Sequence, residues 1–123
     1  MLEGVAFALR DSFEIVKSLG VNLDRIRING GGAKSPLWCK IIADVLNVKV
    51  DKINSSEGPA FGAAILAAVG CGKYASVEEA CNTLVKVVKT MEPDPKEVEL
   101  YNKRYEIFRQ IYPSLKEMYD KMV

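Results

Sequence analysis

Apolar residues at Leu2, Val5, Ala6, Leu9, Phe13 and Val16 recur at helical spacing, with Glu3, Arg10, Asp11 and Lys17 on the other faces. The pattern predicts a helix that stops at Gly20, where a glycine can close the last turn. It is already running at residue 2 with no capping residue before it, as though a longer chain had been cut within a helix. Arg25-Ile26-Arg27-Ile28-Asn29 alternates as a half-buried strand does, and Gly30-Gly31-Gly32-Ala33 follows at once. Ser35 then offers an N-cap and Pro36 a first helical residue, and Leu37, Trp38, Ile41, Ile42, Val45 and Leu46 make an apolar stripe to about Leu46. Val48 to Ile53 reads as a second alternating strand, so the segment is a βαβ unit with parallel strands and a right-handed crossover.

Beyond it, Asn54 to Gly58 is a polar loop, and Pro59 opens a helix from Ala60 to Val69 whose small residues (Gly62, Ala63, Ala64, Ala67, Ala68) permit close approach of a neighbour. Ser76 and Glu79 match a capping box for a short helix to about Leu84. Val85 to Met91 suits extended coil better than a peripheral strand. Asp94-Pro95-Lys96-Glu97 starts a last helix with Val98, Tyr101, Tyr105 and Phe108 on its buried face, and Pro113 should break or kink it, leaving Ser114 to Lys121 as a second segment. Two strands fall short of the ~4–6 of an ordinary open sheet. Either another chain covers one face and edge, or further strands lie upstream.

Composition narrows the class. The 123 residues are 49% hydrophobic and 27% charged, with 17 Lys+Arg against 16 Asp+Glu, the proportions of one soluble globular domain. So even a balance argues against a nucleic-acid partner held by bulk electrostatics. No apolar run reaches the ~20 residues of a membrane span, and the N-terminus lacks a basic signal-peptide region. Cys39, Cys71 and Cys81 form no CxxC pair, which argues against a disulfide framework or a zinc site and for a reducing, cytoplasmic setting, with all three as inert core residues. The absence of histidine removes imidazole acid–base chemistry and His metal ligands.

The glycine run carries the chemistry. Three glycines between a strand and a helix leave backbone N–H groups free to converge on an anion, and the helix start adds roughly half a positive charge. The alternative is a tight turn that needs glycine for its own dihedrals. A dinucleotide fingerprint from Gly30 would require glycine where Ser35 stands, and a P-loop would require glycine where Ile28 and Ala33 stand, so both fail. Lys34 offers a mobile charge. The stretch Ser55 to Ala64 reads as a close-packed capped helix or as a second wall of the same cleft. Asp44 and Asp51 are weak candidates for base or magnesium ligand, being expected as solvated or capping groups, and Trp38 is expected in the core.

Four segments together resemble one family. Leu2-Glu3-Gly4-Val5-Ala6-Phe7-Ala8-Leu9, Asn29-Gly30-Gly31-Gly32-Ala33-Lys34-Ser35-Pro36-Leu37-Trp38, Ala43-Asp44 and Glu57-Gly58-Pro59-Ala60-Phe61-Gly62-Ala63-Ala64 stand in the order and spacing of the C-terminal domain of FGGY carbohydrate kinases. The resemblance implies that residues 1–123 are a C-terminal fragment of the second, nucleotide-binding domain, with a ribonuclease-H-like (actin/hexokinase-type) α/β fold, a βαβ core and a helical C-terminal tail. It implies ATP and Mg2+ as cofactors, and Gly30, Gly31, Gly32 and Ala33 against the ATP. In several relatives an asparagine contacts the nucleotide where this chain has Pro36, so a backbone or neighbouring contact is expected there, with Pro36 and Leu37 near the purine or ribose. The Gly58–Gly62 turn and helix would pack behind the pocket. The catalytic base and most sugar contacts would lie in earlier segments, and this chain would hold no catalytic or metal-binding residue of its own. The implied partners are the N-terminal remainder of the kinase and a small-molecule sugar, with a homodimer as a further option. Ribulose, gluconate or glycerol kinases and a non-catalytic module of the same fold are the rivals.

Overall fold

The computed structural model describes residues 1–55 and 57–122, so Ser56 of the expected polar loop lies outside the described residues. Helix α1 (Leu2–Ser18) is followed by β1 (Arg25–Ile28), a 3₁₀ turn (Gly31–Lys34), α2 (Pro36–Leu46) and β2 (Lys49–Ile53). The chain continues through α3 (Gly58–Gly70), α4 (Val77–Leu84), β3 (Val87–Met91) and α5 (Pro95–Asp120). Gly20, at φ +83°, takes the left-handed conformation past the end of α1 and donates its N–H to the Lys17 carbonyl at 2.9 Å. Ser35 caps α2 as expected, accepting from the Trp38 amide at 3.3 Å. At the far end of that helix Asn47 adopts φ 53°, a left-handed cap that the pattern had not signalled.

The sheet has the order β1-β2-β3. β1 and β2 are parallel, with Ile26 opposite Val50 and Arg27 opposite Asp51. β3 corrects the expectation of extended coil: it pairs antiparallel with β2, placing Thr90 opposite Asp51. Its β-branched Val87, Val88 and Thr90 suit a pleated edge, and Thr90 Oγ1 donates to Asp51 Oδ1 at 2.6 Å. Asn54 locks the entry to this strand: its amide donates to the Lys86 carbonyl, and its side chain bonds both the Lys86 amide and the Leu84 carbonyl.

By strand alternation Ile26 and Val50 share one face of the sheet, which α2 covers. α1 and α5 pack on α2 in turn, so Val45, Val50, Ile42 and Leu46 are enclosed, each side chain contributing about 1.5–3 kcal/mol of burial. Phe7 of α1 fills the wedge between helices, its ring 6.0 Å from those of Tyr101 and Tyr105 and 5.4 Å from Phe108. α5 runs unbroken through Pro113, contrary to the expected break. The amide that proline lacks would have bonded the carbonyl of Arg109; both residues are exposed, so water can take that partner's place.

Asp44 and Asp51 also depart from expectation, being 3% and 1% exposed. Asp51 accepts from Arg25 at 3.1 Å as well as from Thr90, and Asp44 accepts from Lys40 Nζ and from the Asp94 amide, both at 2.8 Å. One carboxylate thus ties all three strands together. The other joins α2 to the start of α5, where Asp94 caps the helix by accepting from the Lys96 amide. Replacing Asp44→Ala leaves the Asp94 amide without its acceptor and should lower unfolding free energy by about 1–3 kcal/mol, measured by urea denaturation.

Tyr101 donates to Glu3 at 3.0 Å and Tyr105 to Asp11 at 2.6 Å. Burial, and then the adjoining carboxylates, push both phenols up to about 12. Unfolded phenols ionise near ~10, so the folded chain binds more protons between those values and its stability falls as pH rises through them. Phenolate absorbance should therefore show two of the five tyrosines titrating late, together with loss of helical circular dichroism. The double variant Tyr101→Phe/Tyr105→Phe should unfold with a shallower alkaline dependence.

Candidate nucleotide site

The bend between β1 and α2 is open to solvent. Gly30 takes φ 82° and ψ −170°, a combination that side chains essentially exclude, and this turns the chain out of the sheet. Gly31 and Gly32 are exposed, whereas Ala33 is 3% exposed and faces inward. The amides of Ala33 and Ser35 are used inside the bend, donating to the carbonyls of Gly30 and Gly32 at 3.1 Å. Those of Gly31 and Gly32 open the 3₁₀ turn and so have no acceptor within it. These two donors, on an exposed bend directly before the capped start of α2, form an anion-binding arrangement.

Two side chains of α2 brace the bend from behind. A methyl at Gly32 would stand 3.0 Å from Trp38 Cδ1 and Nε1, so the indole would have to give by a few tenths of an ångström to admit it. Cys39 Sγ lies 3.7 Å from the Ala33 carbonyl, which it meets as a weak donor. Trp38 is half-buried at the margin of the core, consistent with its expected place. The bracing roles of Trp38 and Cys39 had no signal in spacing, because they depend on how far the helix start folds back beneath the turn.

The second glycine-bearing stretch meets the first. A methyl at Gly58, the first residue of α3, would sit 3.0 Å from the side-chain amide of Asn29, so the end of β1 and the start of α3 are in close contact. Both lie at the C-terminal edge of the parallel pair, where open α/β sheets take their ligands. Pro36 is exposed and Leu37 is 62% exposed, both on the solvent side of the same helix start. Lys34 is exposed at the end of the turn.

Several candidates fall outside this group. Asp44 and Asp51 are committed to internal partners. Among the cysteines only Cys39 is buried; Cys81 is half-buried and Cys71 is exposed at the end of α3, which corrects the expectation of three core thiols. Gly62 has nothing within 4 Å of where a Cβ would stand, so the small face of α3 meets no close neighbour among the described residues. Nor do three His, Cys, Asp or Glu side chains gather into a metal-binding group among the described residues, so these offer no all-protein cage for magnesium. No helix among the described residues is long and apolar enough to cross a membrane.

This geometry can be set beside known proteins. Residues 1–71 match the model of the C-terminal domain of the FGGY family of carbohydrate kinases, more than half of the chain. The chain belongs to that family. It is 36% identical over 118 residues to the xylulose kinase of Staphylococcus epidermidis, an alignment covering 96% of this chain and 24% of that protein. The crystal structure of xylulose kinase from Rhodospirillum rubrum superposes with a TM-score of 0.78 at 32% identity, over 97% of this chain and 24% of that one. That of gluconate kinase from Lactobacillus acidophilus superposes at 0.85 and 24% identity, over 99% of this chain and 25% of that one, and shows the shared fold alone. The chain spans about a quarter of the length of the curated relatives it matches. The α/β fold expected from the motifs is thus the fold of FGGY kinases.

The glycines of the bend are not equivalent. Gly30→Ala forces a side chain into a glycine-only conformation and should destabilise by about 1–3 kcal/mol. Gly31→Ala, at ordinary φ with nothing within 4 Å, should leave stability within about 0.5 kcal/mol of the parent in the same denaturation experiment.

Proposed function

We propose that this chain is the C-terminal, nucleotide-binding part of an ATP-dependent sugar kinase that converts D-xylulose and ATP to D-xylulose 5-phosphate and ADP. The observation that carries the reading is the exposed bend Gly30–Ala33, whose Gly31 and Gly32 amides stand unclaimed before a capped helix. Gly30, Gly31 and Gly32 present the backbone to ATP, while Ala33, expected against the nucleotide as well, is enclosed with its amide bonded to the Gly30 carbonyl and anchors the bend from within; Pro36 and Leu37 offer an apolar ledge to the purine or ribose. The choice of xylulose is supported by its relatives: proteins 36% and 32% identical, from Staphylococcus epidermidis and Bacillus subtilis, are xylulose kinases.

Phosphoryl transfer depends on positioning and on stabilising charge at the transferred group. The bend supplies part of both. Deprotonation of the sugar hydroxyl needs a free carboxylate, and Asp44 and Asp51 are enclosed with partners of their own. The base and the sugar contacts are assigned, as the family resemblance implies, to the N-terminal remainder of the kinase. Magnesium would be carried by the triphosphate and would supply charge neutralisation at the transferred group.

Titration of the labelled chain with a non-hydrolysable ATP analogue and magnesium should shift amide resonances within Asn29–Leu37, with the largest changes at Gly31 and Gly32. Absence of shifts at millimolar analogue overturns the nucleotide site and favours a non-catalytic module. Incubated alone with ATP, magnesium and D-xylulose, the chain should form no sugar phosphate; fused behind the preceding three quarters of a xylulose kinase, it should restore xylulose-dependent ADP release.

A further inference from the structure

Trp38 stands in the first turn of α2, just after Pro36 and Leu37. Long side chains of a helix lean towards its N-terminus, so an indole at this position is carried back over the turn that precedes the helix. Ser35 holds that first turn in place by accepting the Trp38 amide. The indole meets the bend by its pyrrole edge, with Cδ1 and Nε1 both 3.0 Å from the point where a Cβ on Gly32 would lie.

Packing against the core accounts for the carbon atoms of this ring and leaves its N–H unused. An enclosed indole N–H ordinarily finds an acceptor. Trp38 Nε1 donates to none among the described residues, and it is not sealed off: the buried side-chain nitrogen without a partner among them is Arg10 Nη1. The indole thus holds a free donor, open to solvent, beside the Gly31 and Gly32 amides that begin the 3₁₀ turn. The spacing suits one acceptor group. A Cβ stands about 2.5 Å from its own backbone nitrogen, so Nε1 lies within about 5.5 Å of the Gly32 nitrogen. Two N–H donors can share one oxygen when they are up to about 5.8 Å apart, and the several oxygens of a phosphoryl group extend that reach.

We propose that the Trp38 indole N–H is a third donor of the bend, given to a phosphoryl oxygen of the bound nucleotide alongside the Gly31 and Gly32 amides. The inference rests on the nucleotide reading of that bend. An anionic oxygen is the acceptor such a group suits, because all three members donate and none accepts. Glycine at position 32 then has a second purpose, since a side chain there would cover Nε1 as well as crowd it. Trp38 is both the prop of the bend and a contact to its ligand.

The chain has one tryptophan, so its indole N–H gives a single, site-specific resonance. Titration of the labelled chain with a non-hydrolysable ATP analogue and magnesium should move that resonance with the same midpoint as the Gly31 and Gly32 amides, and slow the exchange of its proton with water. Inorganic tripolyphosphate should move it as well, and adenosine should not. Replacing Trp38 with benzothienylalanine keeps the shape of the ring and exchanges the N–H for sulfur. Affinity for the analogue, read at the glycine amides, should fall roughly tenfold, as for a lost hydrogen bond to a charged oxygen. A ring that served only as a prop would leave that affinity and the indole proton unchanged. Glycine amides that move without the indole proton, or full affinity with benzothienylalanine, overturn the inference and leave the nucleotide reading standing. A response to adenosine with none to tripolyphosphate overturns the phosphoryl contact. Glycine amides that stay still at millimolar analogue remove the nucleotide site and this contact together. The indole resonance is read on the parent chain, so the test survives a variant that fails to fold.

Discussion

Helix α2 has to be buried on nearly every side, and that requirement organises the molecule. Seven of its eleven residues are buried, including Cys39, Ile42, Val45 and Leu46. A helix so apolar needs the sheet beneath it and two helices above. α1 and α5 supply the cover, with Phe7 and two tyrosines filling the space between them. The start of that same helix carries the glycine bend. The bend is therefore backed by the most deeply buried helix of the fold.

Two enclosed carboxylates make this packing specific. Hydrophobic burial alone would allow α5 to slide along α2. Asp44 sets the register by accepting the amide of Asp94 just where α5 begins. Asp51 plays the corresponding part within the sheet, reaching Arg25 on one side and Thr90 on the other. Removing Asp44 would leave the Asp94 amide without its acceptor, and removing Asp51 would untie the strands, so each carboxylate fixes one arrangement as well as adding stability.

Much of this was legible from local chemistry. Ser35 followed by Pro36 marked the start of α2, and Ser76 with Glu79 marked α4, where Glu79 reaches back to the Ala75 amide at 2.8 Å. The alternation around Ile26 and Val50 announced parallel strands because both faces of the pattern are local. What escaped depends on partners distant in sequence. β3 is too mixed in polarity to declare itself, and becomes a strand because β2 offers an edge and Asp51 an acceptor for Thr90. Asp44 and Asp51 looked like solvated groups until residues 94, 25 and 90 arrived around them. Pro113 is tolerated because α5 has left the core by that point. At the site, the glycines pointed to the bend, while its bracing by Trp38 and the meeting of Asn29 with Gly58 are products of tertiary packing.

Helix α3 has the opposite character from α2: apolar along its length, yet with Ile65 as its one buried residue among those described. Together with the unpaired outer edge of β1, it gives the fold a side on which polypeptide can be added without disturbing the core.

Trp38 has a practical consequence. It is the chain's single tryptophan, and its pyrrole edge lies against Gly32, one of the two exposed glycines of the bend. All indole emission from the molecule therefore originates directly beneath the bend. A change in its wavelength or quenching would report the state of those few residues in real time, without any attached dye.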